Sequence, residues 1–199
     1  MRTIVFCFLF FLTCALSSFA QDFRWGVVGG LNLGYPKDDQ LKTTLFAGVK
    51  GYLQLKGNYY LYSGLQLQQN GFKEKVYIDN GVEVTFLKDN PHYLSVPIHL
   101  GYRKALTDGS FLSLTGGPYV AYGLFGKRKV EAFGDTYSGN LFKNGVYRRW
   151  DMGLGVALNW EYTHLTLGLG ADWGLLNQAS YFDRHIKRRD IYVSVGYYF

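Results

Sequence analysis

The sequence predicts an all-β fold: an eight-stranded antiparallel up-and-down transmembrane β-barrel. Three observations predict it. After residue 20, apolar residues recur with a period of two and nowhere with a convincing period of 3.6. Most of the resulting runs are long enough to cross a bilayer as tilted strands, about 9–11 residues against the ~5–6 typical of soluble strands. The connections alternate strictly between short and long, the asymmetry of barrels with short turns on one side of a membrane and longer loops on the other.

The predicted strands are Phe23–Gly34, Thr44–Leu55, Tyr59–Asn70, His92–Arg103, Ser110–Leu124, Arg149–Glu161, His164–Leu176 and Asp190–Phe199. Short links follow the second, fourth and sixth: Lys56 to Asn58, Lys104 to Gly109, and Tyr162-Thr163. Longer ones follow the first, third, fifth and seventh: Tyr35 to Thr43, Gly71 to Pro91, Phe125 to Arg148, and Asn177 to Arg189. An even strand count leaves both termini on the side of the short turns, which for an outer-membrane barrel is the periplasm.

Composition agrees. The chain of 199 residues is 48% hydrophobic, and its mean hydropathy is nonetheless close to zero, so apolar residues are interleaved rather than clustered. Gly 25, Tyr 17 and Phe 15 against Pro 4 favour strands with close backbone approaches. The first twenty residues, MRTIVFCFLFFLTCALSSFA, carry one charge at Arg2, an apolar run from Ile4 to Leu16 and small residues at Ser18 and Ala20. They read as a secretory signal peptide, removed to leave one barrel domain over residues 21–199. Cys7 and Cys14 both lie there, so the mature chain is expected to lack disulfides and cysteine-based metal sites. The formal charge of +6 is dispersed apart from Lys127-Arg128-Lys129, Arg148-Arg149 and Lys187-Arg188-Arg189. An exported chain meets little nucleic acid, so these clusters are assigned to anionic lipopolysaccharide or to solubility.

Strand parity distinguishes a soluble barrel from a membrane one. In the seventh strand Leu165, Leu167, Leu169, Ala171, Trp173 and Leu175 alternate with Thr166, Gly168, Gly170, Asp172 and Gly174. A soluble barrel turns the apolar set inward; a membrane barrel turns it to lipid. Gly64, Gly101, Gly153, Gly155, Gly168, Gly170, Gly174 and Gly196 all fall on the polar parity, where a water-facing surface would carry long polar side chains. Inside a narrow barrel, glycine makes room for neighbouring Tyr, Arg and Gln. The charged strand residues Arg24, Lys50, Arg103, Asp151, Asp172 and Asp190 share that parity; on the lipid face, a mid-bilayer Lys or Arg costs roughly 2–4 kcal/mol. These six are the expected lumen charge network, paired because buried charges must be.

The apolar parity places Trp150 and Trp160 at opposite ends of the sixth strand. Ten residues at ~3.4 Å rise and ~40° tilt span about 26 Å along the normal, matching the ~25 Å between aromatic girdles. Trp25, Tyr102, Tyr197 and Phe199 are expected in the periplasmic girdle, and Tyr122, Trp150 and Trp173 in the outer one.

The segments YLSVPIHLGYR, SLTGGPYVAYGL, DMGLGVALNWEY and RRDIYVSVGYYF, in this order and spacing, resemble the outer-membrane β-barrel family of Bacteroidetes-type bacteria, a porin family that includes PorT-like proteins. The resemblance covers about Phe23 to Phe199. It implies an integral protein of a Gram-negative outer membrane, inserted by the barrel-assembly machinery, whose insertion signal is a last strand ending in an aromatic residue, here Phe199. It also implies contact with outer-membrane lipid and lipopolysaccharide, and an envelope or secretion protein as partner.

Chemistry-bearing clusters are few. Ser180, Asp183 and His185 lie within six positions in the last long loop, a composition too ordinary to define a catalytic triad without geometry. His92 and His99 sit on opposite parities and cannot form a metal pair on one strand. Asp38, Asp39 and Asp79 fall short of the ~6–8 oxygens a Ca²⁺ site needs. Gly29-Gly30 and Gly116-Gly117 precede no helix, so they form no phosphate loop. The expectation is therefore a non-enzymatic outer-membrane barrel with no cofactor, no metal and no nucleic-acid partner. The alternatives are a narrow porin and an outer-leaflet lipid hydrolase.

Overall fold

The computed structural model describes residues 23–34, 42–70, 73–78, 82–132, 135–143, 148–177 and 187–199. The signal segment, Asp38, Asp39, Asp79 and the Ser180–His185 cluster lie outside them. Ten strands run in chain order: β1 Phe23–Gly34, β2 Lys42–Gln54, β3 Tyr59–Gln69, β4 Lys73–Ile78, β5 Val82–Thr107, β6 Ser110–Ala132, β7 Asp135–Asn140, β8 Trp150–Tyr162, β9 Leu165–Gly174 and β10 Arg189–Tyr198. Eight of them, all but β4 and β7, close into an antiparallel ring in which β1 pairs with both β2 and β10. Closure leaves the ring no unpaired edge, the condition for crossing a bilayer with strands.

Alternation holds around the ring. Odd residues of β1 and β9, and even residues of β8, are exposed with apolar side chains, whereas their neighbours are buried in the lumen. Leu45, Leu100, Leu114, Leu158, Leu169 and Val195 all face outward. Among the large buried side chains many are instead tyrosine, charged or amide, so the polar residues form the core and the apolar ones the surface.

Two short-turn details fix the register. Gly109 (φ 75°) and Thr163 (φ 54°) both adopt left-handed backbone, and the Thr163 N–H donates to the Gly109 carbonyl at 2.7 Å. Glycine takes this conformation freely, while a β-branched residue is strained there. In the lumen, a Cβ built at Gly101 would press against the Tyr60 ring and one at Gly153 against Tyr119.

The outer side departs from the expected loops. β5 begins ten residues before His92 and β6 runs eight past Leu124. The two strands remain paired beyond the ring, from Thr85↔Ala132 to Asn90↔Lys127. β4 adds to one side of this overhang and β7 to the other, making a four-stranded outer sheet. Where ring meets overhang, His92 pairs with Phe125 but Tyr93 with Gly123, so Leu124 is an extra, bulged residue. A bulge re-aims a strand, and here Leu124 and Phe125 are both exposed. Pro91 within β5 is tolerated because its pairing with β3 ends there: the Asn70 N–H donates to its carbonyl at 2.9 Å, β3 itself ends at Gln69, and only the one bond of this terminal rung that needs a Pro91 N–H is lost.

Candidate functional site

The lumen is closed in layers. At the outer mouth the chain after β7 turns back, with Asn140 Oδ1 accepting from the Phe142 and Lys143 N–H groups at 3.0 and 3.2 Å. That turn inserts Leu141 and Phe142 among Tyr93, Tyr119 and Ala121. Gly123 makes the insertion feasible, since a Cβ there would stand 2.5 Å from the Phe142 ring. Arg149 lies over Phe142 at 5.1 Å, and its Nη1 donates to the Gly123 carbonyl at 3.0 Å.

Beneath this plug lies a buried ion cluster. Arg188 reaches Asp172 at 3.1 Å and bonds Asp190 through Nε, with its guanidinium 5.1 Å from the Tyr119 ring. Tyr119 Oη in turn donates to Asp151 at 3.2 Å. Mid-lumen, Phe46 meets Tyr192 edge-on at 5.8 Å and Tyr62 meets His99 at the same distance. These four and Gln66 separate a cavity of about 40 Å³ on the short-turn side from one of about 30 Å³ on the side of the four-stranded sheet. A water needs roughly 10–15 Å³ in such a measure, so each is a small pocket and not a stretch of channel. Both His99 ring nitrogens lack a protein partner.

At the short-turn end Lys50 donates to Thr166 Oγ1 at 2.5 Å and lies 4.0 Å from the Tyr198 ring centre. Tyr52, Tyr60 and Tyr198 pack together there. Arg103 pairs with Glu161 at 2.9 Å, and both Arg103 and Arg24 donate to Tyr52 Oη, at 2.8 and 3.1 Å.

All six expected lumen charges thus lie on the lumen-facing parity, but their partners differ from a mutual network of three cations and three carboxylates. Asp172 and Asp190 meet on Arg188, which the sequence reading left in a loop. Arg103 uses Glu161, which the sequence places at the end of the sixth predicted strand but outside the expected charge network. Lys50 and Arg24 are satisfied by hydroxyls, aromatic faces and, for Arg24, the Thr163 carbonyl at 3.5 Å. The signal for Glu161 was present, since it shares the parity of Asp151; Arg188 gave none, because it precedes its strand.

The aromatic residues stand on the lipid side in groups. Tyr122 meets Trp150 at 4.9 Å toward the outer end. Toward the other end Trp25 meets Phe199 at 4.4 Å, Tyr197 meets Phe199 at 5.3 Å, Tyr102 meets Tyr59 at 5.3 Å and Trp160 stacks on Tyr162 at 6.2 Å. Trp173 is exposed opposite Arg189. The Phe199 N–H donates to the Trp25 carbonyl at 2.8 Å, fastening the last residue to the first strand. His92 stacks on Phe125 at 4.5 Å on the outer face, away from His99 inside. Among the described residues no three His, Cys, Asp or Glu side chains converge to hold a metal ion.

A closed eight-stranded ring with an apolar exterior and a polar, filled interior defines an integral outer-membrane barrel. The chain belongs to the outer membrane protein beta-barrel domain family, whose model matches residues 19–179. It is also similar to several solved barrels. Ail, the attachment invasion locus protein of Yersinia pestis, is 13% identical with a TM-score of 0.43, over 89% of this chain and 98% of that one. Neisserial surface protein A is 10% identical with a TM-score of 0.45, over 89% and 97%. OprG of Pseudomonas aeruginosa is 13% identical with a TM-score of 0.45, over 89% and 96%. No curated protein matches the chain.

Proposed function

We propose that the protein is a non-enzymatic, non-conducting interaction barrel of the cell envelope, of the PorT-like kind, that engages an envelope or secretion protein. Both termini lie in the periplasm, and the outer sheet of β4 to β7 is the extracellular part. The observation that carries the reading is the combination of a plugged lumen with strands prolonged beyond what spanning requires. β5 and β6 have 26 and 23 residues, more than twice the ~9–11 needed to cross. A porin has no use for Phe142 in its mouth, and the Ser180, Asp183 and His185 cluster that a hydrolase would use lies outside the described residues.

The test is planar-bilayer recording of the refolded barrel, its fold verified by heat-modifiable gel mobility. A folded, silent barrel is expected. Reproducible single-channel steps that change with Arg103 or Asp151 would make it a narrow porin instead. Lipid A cleavage abolished at His185 would make it a hydrolase.

A further inference from the structure

The short-turn mouth of the lumen holds more cations than carboxylates. Arg24 from β1, Lys50 from β2 and Arg103 from β5 all project into this half, and among the described residues Glu161 from β8 is the carboxylate that meets them. Arg103 takes Glu161, at 2.9 Å. Lys50 is left with the Thr166 hydroxyl and the Tyr198 ring. Arg24 is left with the Tyr52 hydroxyl, the Thr163 carbonyl, and the faces of Tyr52 and Tyr198 at 5.9 and 5.6 Å. Among the described residues, two positive charges therefore stand here without an ion-pair partner. Charges taken out of water need a counter-charge. Of the two, Lys50 is buried and Arg24 half-buried, so Arg24 is the one that solvent reaches.

The donors around Arg24 indicate what kind of counter-charge fits. Register sets Tyr52 directly beside Arg24, and Arg103 reaches the same tyrosine from across β3. Its guanidinium is held there over the Phe111 ring, at 3.7 Å. Tyr52 Oη accepts from Arg103 at 2.8 Å and from Arg24 at 3.1 Å. Two guanidiniums on one neutral oxygen repel each other at short range, and the oxygen does nothing to offset it. A phenol oxygen has two acceptor sites and one proton. Both acceptor sites of Tyr52 are filled, and no described group accepts its proton. A guanidinium carries five N–H donors, and Arg24 commits only its two Nη atoms, one of them to a bond of 3.5 Å at the exposed Thr163 turn. An acceptor-only group at this mouth meets a free O–H, free N–H groups and uncompensated positive charge.

We propose that Arg24, Tyr52 and Arg103 form an oxyanion site at the short-turn mouth, whose ligand is a phosphate-type dianion, free or as a monoester, entering from the water on that side. Two surplus positive charges select a dianion over a single carboxylate, and guanidinium forks match phosphate oxygens in bidentate fashion. The bound anion ties β1, β2 and β5 together at the base of the ring. The site needs the closed ring, but neither the interaction reading above nor the side of the membrane on which this mouth opens. The test is isothermal titration calorimetry of the full barrel in dodecylmaltoside micelles with inorganic phosphate, at fixed ionic strength and a pH of about 8, above the second phosphate pKa. Glycerol 3-phosphate and acetate are titrated in parallel. One saturable phosphate site per barrel is expected, with acetate far weaker. Arg24→Gln should lower phosphate affinity about ten- to a hundred-fold, the worth of a hydrogen bond to a charged group. Tyr52→Phe, which removes only the hydroxyl, should also weaken binding and carries the test if Arg24→Gln loses its heat-modifiable mobility. Arg24→Lys keeps the charge without the fork and should retain part of the affinity. Lys56→Gln/Lys104→Gln removes two exposed cations of the same end and should change nothing. Glycerol 3-phosphate separates the two sources: binding like that of phosphate supports a monoester ligand, and exclusion supports the free ion. Absent saturable binding, equal binding of acetate, or unaltered affinity in Arg24→Gln or Tyr52→Phe overturns the proposal. A loss in Lys56→Gln/Lys104→Gln as large as that in Arg24→Gln overturns it too, since the attraction is then diffuse.

Discussion

Replacing Arg188 by Met removes the one cation of the outer ion cluster and leaves Asp172 and Asp190 facing each other in the lumen. Both carboxylates are shielded from water, and Arg188 is only 6% exposed. A surface ion pair is worth about 0–1 kcal/mol, but removing one partner from a buried pair costs ~3–5 kcal/mol, because the remaining charge stays desolvated. The contact with the Tyr119 ring adds roughly 0.5–2 kcal/mol. The expected loss for Arg188→Met is therefore about 3.5–7 kcal/mol. The assay is urea unfolding of the barrel refolded into phosphatidylcholine vesicles, read by tryptophan fluorescence and by heat-modifiable mobility. Adding Asp172→Asn and Asp190→Asn to Arg188→Met should recover most of the loss, since amides need no counter-ion. A single variant within about 1 kcal/mol of the parent would refute the reasoning, because the cluster would then behave as a solvated pair. A triple variant as unstable as the single one would mean that lost packing, not uncompensated charge, had been measured.

Three further outcomes follow from the same physical terms. Thr163→Gly relieves left-handed backbone at a β-branched residue, and should raise unfolding free energy by roughly 0.5–1 kcal/mol after the entropy glycine adds to the unfolded chain; a loss of stability in the same urea assay would contradict the strain argument. Gly101→Val drives a side chain into the Tyr60 ring and should cost about 1–3 kcal/mol, with partial rescue by Tyr60→Ala; no rescue would place the clash elsewhere. Deleting Phe199 should lower the amount of assembled barrel in cells while refolding into vesicles proceeds as before. Equal losses in both would mean that the residue acts through its contacts with Trp25 and Tyr197 and not as an insertion address.

The ring was legible because lipid enforces it. Each residue in the apolar band faces either hydrocarbon or the lumen, so a period of two survives along the whole strand, as in Leu165 to Gly174. Beyond the band both faces of a strand meet water or protein, and the constraint lapses. FGKRKVEA in β6 therefore reads as a charged loop although it is paired on both sides. Pro91 read as a break for the same reason that it is tolerated: its missing N–H matters only if a partner strand continues, and β3 stops there. In the lumen, parity identified which residues point inward, but pairing is set by strand stagger around the ring. Lys50 finds Thr166 at a separation of 116 positions, and no local pattern encodes that distance.

The division of labour within the barrel bears on where any activity can reside. Lumen charges are occupied with one another, with hydroxyls or with aromatic rings, so changes there act on stability before they act on a partner. The lipid face carries no information beyond hydrophobicity and the placing of its aromatic rings. The ring closes through β1 to β3, β5, β6 and β8 to β10, and neither β4 nor β7 contributes to that closure. Membrane residence therefore does not require the outer sheet, although holding β4, β7 and the overhanging parts of β5 and β6 in ordered rungs has an entropic cost of about 1–2 kcal/mol per ordered residue. A paired sheet that takes no part in closing the ring is a poor way to stabilise a barrel. Under the interaction-barrel reading proposed above, the contacts that distinguish this chain from other barrels with the same ring are therefore expected at its outer rim.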